Sequence, residues 1–203
     1  LSHTGSLAPF GGTGWGEGAF ATNIDAASHV PPVHTKTWFH TGIYLGRDHV
    51  SNFFAGLLDL QDRGEYYREP AWRDDDTEAR KRLLADTVLP AGWSIEEERE
   101  ACRTLKGSML RQEVYADDAV HPDATPEQIQ RARIPYTVTE QNFTIQRLQP
   151  HDGNRHAVFF THPREAITHH YERNPADPRI QHALTLEVDD YGNVLKQAEN
   201  TQY

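Results

Sequence analysis

The sequence predicts a mainly β fold, an antiparallel twisted sheet carrying short helices on its surface. Three observations predict it. Runs rich in β-branched and aromatic residues recur at short spacing after Gly107. Turn-forming clusters separate them: His151-Asp152-Gly153-Asn154, Asn174-Pro175-Ala176-Asp177-Pro178 and Asp190-Tyr191-Gly192-Asn193. No strand–helix–strand rhythm of a parallel sheet is present. The composition agrees with an ordered but well-hydrated chain. Hydrophobic residues make up 37% of the 203, and a 10% aromatic share argues against disorder.

In chain order, residues 1–35 hold six of the fourteen glycines and two charged side chains, Glu17 and Asp25, which suits an irregular connector. The stretch from Gly11 to Gly18 lacks the Lys-Ser/Thr ending of a phosphate-binding loop, and no strand precedes it. Lys36–Gly46 reads as a short strand. Residues 51–72 are ambiguous: Phe53, Phe54, Leu57, Leu58 and Leu60 could line a helix, but Gly56 and Gly64 oppose one.

Helix signals follow. Asp75 and Glu78 resemble a capping pair ahead of Ala79–Asp86. Ser94 and Glu97 have capping-box spacing and open a helix to about Leu105, with Gly107 as its stop and Ile95, Cys102 and Leu105 on its apolar side. Thr125, Pro126 and Gln128 mark a third helix start. All three helices are short and charged, and read as surface insertions. Strands are expected at Met109–Tyr115, Tyr136–Leu148, Ala157–His162, Ala166–Tyr171 and Ala183–Val188, with another strand-like run starting at Val194. The chain starts at Leu1 with no signal-peptide pattern and stops within that last run, so a piece of a longer protein is expected.

Charge and chemistry narrow the function classes. A net charge of -10 leaves no basic footprint for nucleic acid and disfavours an anionic membrane surface. No apolar run reaches the roughly 18 residues of a membrane-spanning helix. The single Cys102 cannot form an internal disulfide, and its mid-helix position reads as a buried structural thiol.

Twelve histidines prompt a search for a metal site. His162, Glu165 and His169 form the best candidate, but Ala166 stands where an inverted zinc-protease motif needs its second histidine, and Pro163 opposes a helix. His169 and His170 would point to opposite faces of a strand. His29, His34 and His40 match no ligand spacing. The carboxylates Asp74–Asp76 and Glu96–Glu100 sit at helix starts, where the macrodipole and water account for them. Glu140 is a lone carboxylate on a strand. Neither catalytic residues nor a cofactor or metal site are expected. A binding module would instead use Trp38, Phe39, Tyr66, Tyr67 and Trp72 to stack a glycan or meet a receptor.

Several long phrases carry a resemblance. His34–Leu45, Glu65–Pro70, Leu84–Ala116, Pro135–Pro150 and Ala157–Lys196, in order and at natural spacing, resemble the middle/C-terminal region of the B component of bacterial insecticidal toxin complexes, the Tc toxins. The tail from Val188 to Lys196 also resembles an Rhs/YD repeat, with Gly192 at its turn.

The resemblance implies a non-catalytic, secreted scaffold. Residues 36–203 would be part of an Rhs-type β-shell that the B component builds with the C component around the toxic C-terminal segment of the latter. The shell would dock on the pore-forming A component through a β-propeller elsewhere in the B component, with no direct membrane insertion and no nucleic acid. Residues 1–35 would link out of the preceding region.

Overall fold

The computed structural model describes residues 32–47, 50, 66–119 and 122–202. The chain divides into two units, Leu1–Val30 and Pro31–Tyr203, and every described residue belongs to the second. The glycine-rich stretch, His29 and most of the ambiguous region 51–72 lie outside the described residues.

Six antiparallel strands form one sheet in sequence order: β1 (Val33–Phe39), β2 (Met109–Ala116), β3 (Thr137–Gln149), β4 (Val158–His170), β5 (Arg179–Val188) and β6 (Val194–Gln202). The fold is therefore the mainly β, antiparallel architecture that the sequence predicts. Helices α1 (Asp76–Arg82) and α2 (Ile95–Thr104) sit in the connection from β1 to β2, and α3 (Pro126–Ala132) in that from β2 to β3. The two capping boxes are complete: the Ser94 and Thr125 hydroxyls accept from the amides of Glu97 and Gln128, whose side chains accept from the cap amides in return.

Helix α2 packs on the sheet and makes the main core. Its Ala101 and Cys102, with Leu105 just past its end, join Val50, Leu89, Phe143 and Ile145. Burying Leu105 and Ile145 contributes about 1.5–3 kcal/mol each. A second cluster joins Tyr67, Val138 and Tyr171, with Ile134 against it.

Five expectations need correction. The first strand is Val33–Phe39 rather than Lys36–Gly46, because Gly42 takes a positive φ of 77° and a Cβ there would lie 3.0 Å from that of Lys106. Helix α1 stops at Arg82 rather than Asp86. The extended chain beyond it is held by the sheet: the Leu84 amide donates to Glu140, Asn142 donates to the Ala85 carbonyl, and the Phe143 amide donates to Thr87.

The two strands expected at 157–162 and 166–171 are one strand, β4, running through Pro163. A bulge opposite it, between Asn142 and Phe143, breaks the ladder where proline has no amide to give. Ile95 is 56% exposed and does not join the apolar side of α2. That helix is no mere surface insertion, since its buried residues include Glu97 and Glu98 as well as Ala101 and Cys102.

Candidate interaction surface

Cross-strand register sorts the side chains of the sheet onto two faces of opposite character. On one face the rows read Lys36, Glu113, Val138, His169, Ile180, Gln202 and Trp38, Arg111, Glu140, Ile167, His182, Asn200. This face holds the segment around Tyr67 and Leu84 at its centre. Val138, Glu140 and Asn142 of β3 are buried while Thr137, Thr139 and Gln141 are half-buried; past the register shift Phe143 and Ile145 are buried instead, under α2.

At the centre of the covered face, buried Arg111 bridges two buried carboxylates. Its Nε donates to Glu113 at 2.8 Å and its Nη1 to Glu140. Burial opposes the guanidinium charge, but Glu140 and Glu113 outweigh it and hold its pKa above the usual arginine value. Each carboxylate also takes an amide from the insertion. Glu113 accepts from Tyr67 at 2.8 Å and from the Tyr115 hydroxyl at 2.5 Å, and Glu140 accepts from Leu84 at 2.7 Å. The Arg111 guanidinium lies 4.7 Å from the Tyr66 ring centre. Satisfied this way, the network pins residues 66–90 to the sheet.

Helix α2 presents three more carboxylates to tertiary partners. Amides of His151 and Ser94, then Arg147, hold Glu97 below its usual pKa. The Tyr44 hydroxyl at 2.6 Å, then Arg47, does the same for Glu98. Glu100 is lowered by His156 and the Ala157 amide. These groups are therefore not helix-start charges left to water, as their position in sequence suggests. Arg173 closes the far end: it is bidentate to Asp118 at 2.6 and 3.0 Å and caps the Arg131 carbonyl, from a backbone at φ 64°.

The opposite face is built differently. Its central row is Thr37, Gln112, Thr139, Thr168, Gln181, Thr201, one hydroxyl or amide on each of the six strands. Neighbouring rows hold Thr35, Val114, Thr137, His170, Arg179 and Gln141, Ala166, Ala183, Glu199. The polar groups pair along the row, with Gln112 donating to Thr37 at 3.1 Å and the Thr139 and Thr168 hydroxyls 3.2 Å apart.

The residues singled out in the sequence disperse. Register puts His169 on the covered face, where burial lowers its pKa and it stacks on Tyr171, while His162 pairs with Thr144 beyond the bulge. Glu165 faces His182 at 3.2 Å. Among the described residues no group of three or more His, Cys, Asp or Glu stands close enough to hold a metal ion. His40 is buried against Phe143, and burial lowers its pKa. His34 instead lies near Tyr115 on the rim of a cleft of about 620 Å³ shared with Lys36, Arg73 and Arg133. Burial pushes the Cys102 thiol up to about 11.

Glu140, a lone strand carboxylate in the sequence, is a member of the Arg111 pair. Arg111 and Glu113 were legible only as alternate strand residues of like facing, and the Thr/Gln row only as alternation within Thr137–Gln141. Of the aromatics proposed for ligand stacking, Trp38 packs edge-on to Tyr66 at 4.8 Å and Tyr67 packs on Tyr171 at 5.3 Å, while Phe39 is exposed.

Comparison with known proteins places this surface in a family. The family model for the insecticide toxin TcdB middle/C-terminal region matches residues 100–203. No curated protein matches the chain. A crystal structure of TcdB2-TccC3-Cdc42 is similar at 28% identity and a TM-score of 0.55, over 86% of this chain and 7% of that one.

A crystal structure of TcdB2-TccC3 without its hypervariable C-terminal region gives 26% and 0.56, over 85% and 7%. A Photorhabdus luminescens Tc holotoxin pore gives 24% and 0.52, over 83% and 7%, and shows the fold alone. The chain spans less than a tenth of the length of these structures. With the family model covering just over half of its residues, and the same sheet found in the complexes, the chain belongs to the family of the insecticide toxin TcdB middle/C-terminal region.

Proposed function

We propose that this chain is a length of wall in the hollow shell of a Tc toxin. In this reading it is part of a longer B component, residues 36–203 supply the wall, and residues 1–35 connect it to the preceding region. With a C component the shell encloses the toxic C-terminal segment of that partner, and a pore-forming A component receives it. The wall itself performs no catalysis, and the complex acts outside the producing cell. Among the described residues no helix is long and apolar enough to cross a membrane.

One observation carries the reading: a six-stranded antiparallel sheet covered by its own insertions over β2 and β3 and exposed along β6, in a chain of this toxin family. A wall needs a sheet whose two faces meet different surroundings, and antiparallel sheets accept that asymmetry. The similar structures are themselves complexes of TcdB2 with TccC3.

The test is co-expression of the full-length protein carrying this region with the C component encoded beside it, then affinity capture and size exclusion. A one-to-one particle holding a cleaved, protease-protected C-terminal segment is the expected result. Free components without protection would sink the shell reading.

A further inference from the structure

The cleft of about 620 Å³ lies where four pieces of the chain meet: β1, residues 66–74, the end of β2, and α3 with Arg133 just past it. Its volume is that of a site for a small molecule. Its lining is basic in a chain of net charge -10. Lys36, Arg68, Arg73 and Arg133 stand along it against Asp74 and Asp117, and Asp76 answers Arg68 at 2.6 Å. Arg73 and Arg133 are exposed and form no ion pair among the described residues. Lys36 lies 5.3 Å from the Tyr115 ring centre.

A buried donor gives a second, independent sign of an occupant. Tyr67 lines the same cleft and is 9% exposed, and its buried hydroxyl has no hydrogen-bond partner among the described residues. Buried hydroxyls normally have one. Its neighbours are already committed: the Tyr115 hydroxyl donates to Glu113, which also accepts from Arg111 and from the Tyr67 amide. Burial, then Glu69, pushes the Tyr67 pKa up to about 12 against the pull of Arg73, so the phenol keeps its proton. A donor without an acceptor thus sits within the field of an unpaired cation. Ala116, Ile129 and Ala132 add an apolar stretch to the lining.

We infer that this cleft binds a small organic anion, with its carboxylate or phosphate head on Arg73, Arg133 and the Tyr67 hydroxyl and its apolar body against Ile129 and Ala132. Each part of the lining selects that chemistry. Guanidinium groups hold carboxylate and phosphate oxygens through paired N–H bonds. The phenol supplies one more donor and has no use for a cationic ligand. A neutral ligand without acceptors would leave all three groups unanswered. Because the lining comes from four pieces of chain, an occupant ties residues 66–74 and α3 to β1 and β2. The site depends only on the lining of this chain and is independent of the shell reading.

The test uses the full-length protein carrying this region, with saturation-transfer NMR of benzoate, phenyl phosphate and the neutral benzyl alcohol. The three share a ring and differ in the head. At least one anion should bind, benzyl alcohol should bind about tenfold more weakly, and hydrogen exchange across 66–74 and 126–133 should slow with the anion present. Binding of benzoate alone assigns a carboxylate head, and of phenyl phosphate alone a phosphate head. Arg73→Gln with Arg133→Gln should raise the dissociation constant about tenfold, the scale of lost charge-assisted hydrogen bonds. Tyr67→Phe should raise it about fivefold, the scale of one hydrogen bond.

Equal binding of benzyl alcohol overturns the inference. So does anion binding that the double variant leaves unchanged, or no binding of either anion at millimolar concentration. Tyr67→Phe without any anion gives a separate check. A hydroxyl with no internal partner is lost without harm, so exchange across 66–74 should match the wild type. Faster exchange there would show that the hydroxyl is bonded within the protein, and the inference falls.

Discussion

At the scale of the residue, Arg111 decides how the insertion sits on the sheet. Its two carboxylate partners are fully or nearly fully buried, and each also holds a backbone amide of the 66–90 segment. Arg111→Met leaves Glu113 and Glu140 buried without a counter-charge, and the change should destabilise the protein by about 3–5 kcal/mol. Hydrogen exchange at the Tyr67 and Leu84 amides in the full-length protein reads the effect where it arises. Protection there unchanged from wild type would show that the network does not pin the segment. The sequence shows Arg111 and Glu113 as alternate residues of a strand, yet gives no sign that Glu140, 29 positions away, completes the set. That contact exists because the register of β2 on β3 sets Arg111 beside Glu140.

At the scale of the element, local chemistry was the most readable part. Both capping boxes are closed within four residues of chain, so the starts of α2 and α3 could be read directly. The ends of elements set by distant partners could not, and α1 stops early because residues 84–87 bond to β3 instead. The hairpin joining β5 to β6 is again local. Asp189 accepts from the amides of Tyr191 and Asn193, and Gly192 turns the chain at φ 88°.

A Cβ at Gly192 would meet the Phe160 ring at 2.7 Å. Gly192→Ala therefore pays the left-handed backbone penalty of about 1–2 kcal/mol and displaces Phe160 as well. A urea titration that shows no loss of stability, with unchanged exchange across β5 and β6, would refute this.

At the scale of the whole molecule, pH acts on many groups with one sign. Hydrogen bonds and ion pairs hold Glu97, Glu98, Glu100 and Asp118 below their usual pKa values, and burial lowers His40 and His169. In both classes the folded state binds fewer protons than the unfolded chain, so stability falls as pH falls. The histidine part is complete above the unfolded value of about 6.5 and is lost on acidification toward the folded values. The carboxylate part is present above about 4.3 and is lost as pH drops through the lowered values.

Stability measured from pH 8 to about 2 should therefore decline in two stages. His169, which faces Glu140, Arg111, Glu69 and Arg82, contributes to the first stage. His169→Gln should shrink that first stage and leave the second. A flat profile between pH 7 and 5 in the wild type would exclude the histidine contribution.

The sequence by itself determined the antiparallel β class, the place of most strands, two helix starts and the family resemblance, because alternation, caps and turns are written within a few residues of chain. Only the tertiary structure decided which face of the sheet is sealed. Alternation fixes that Thr139 and Glu140 point apart, but not which of them the insertion covers. The bonds from Tyr67 and Leu84 to Glu113 and Glu140 settled that choice around Arg111, and it left the Thr139 row half-buried on the other side.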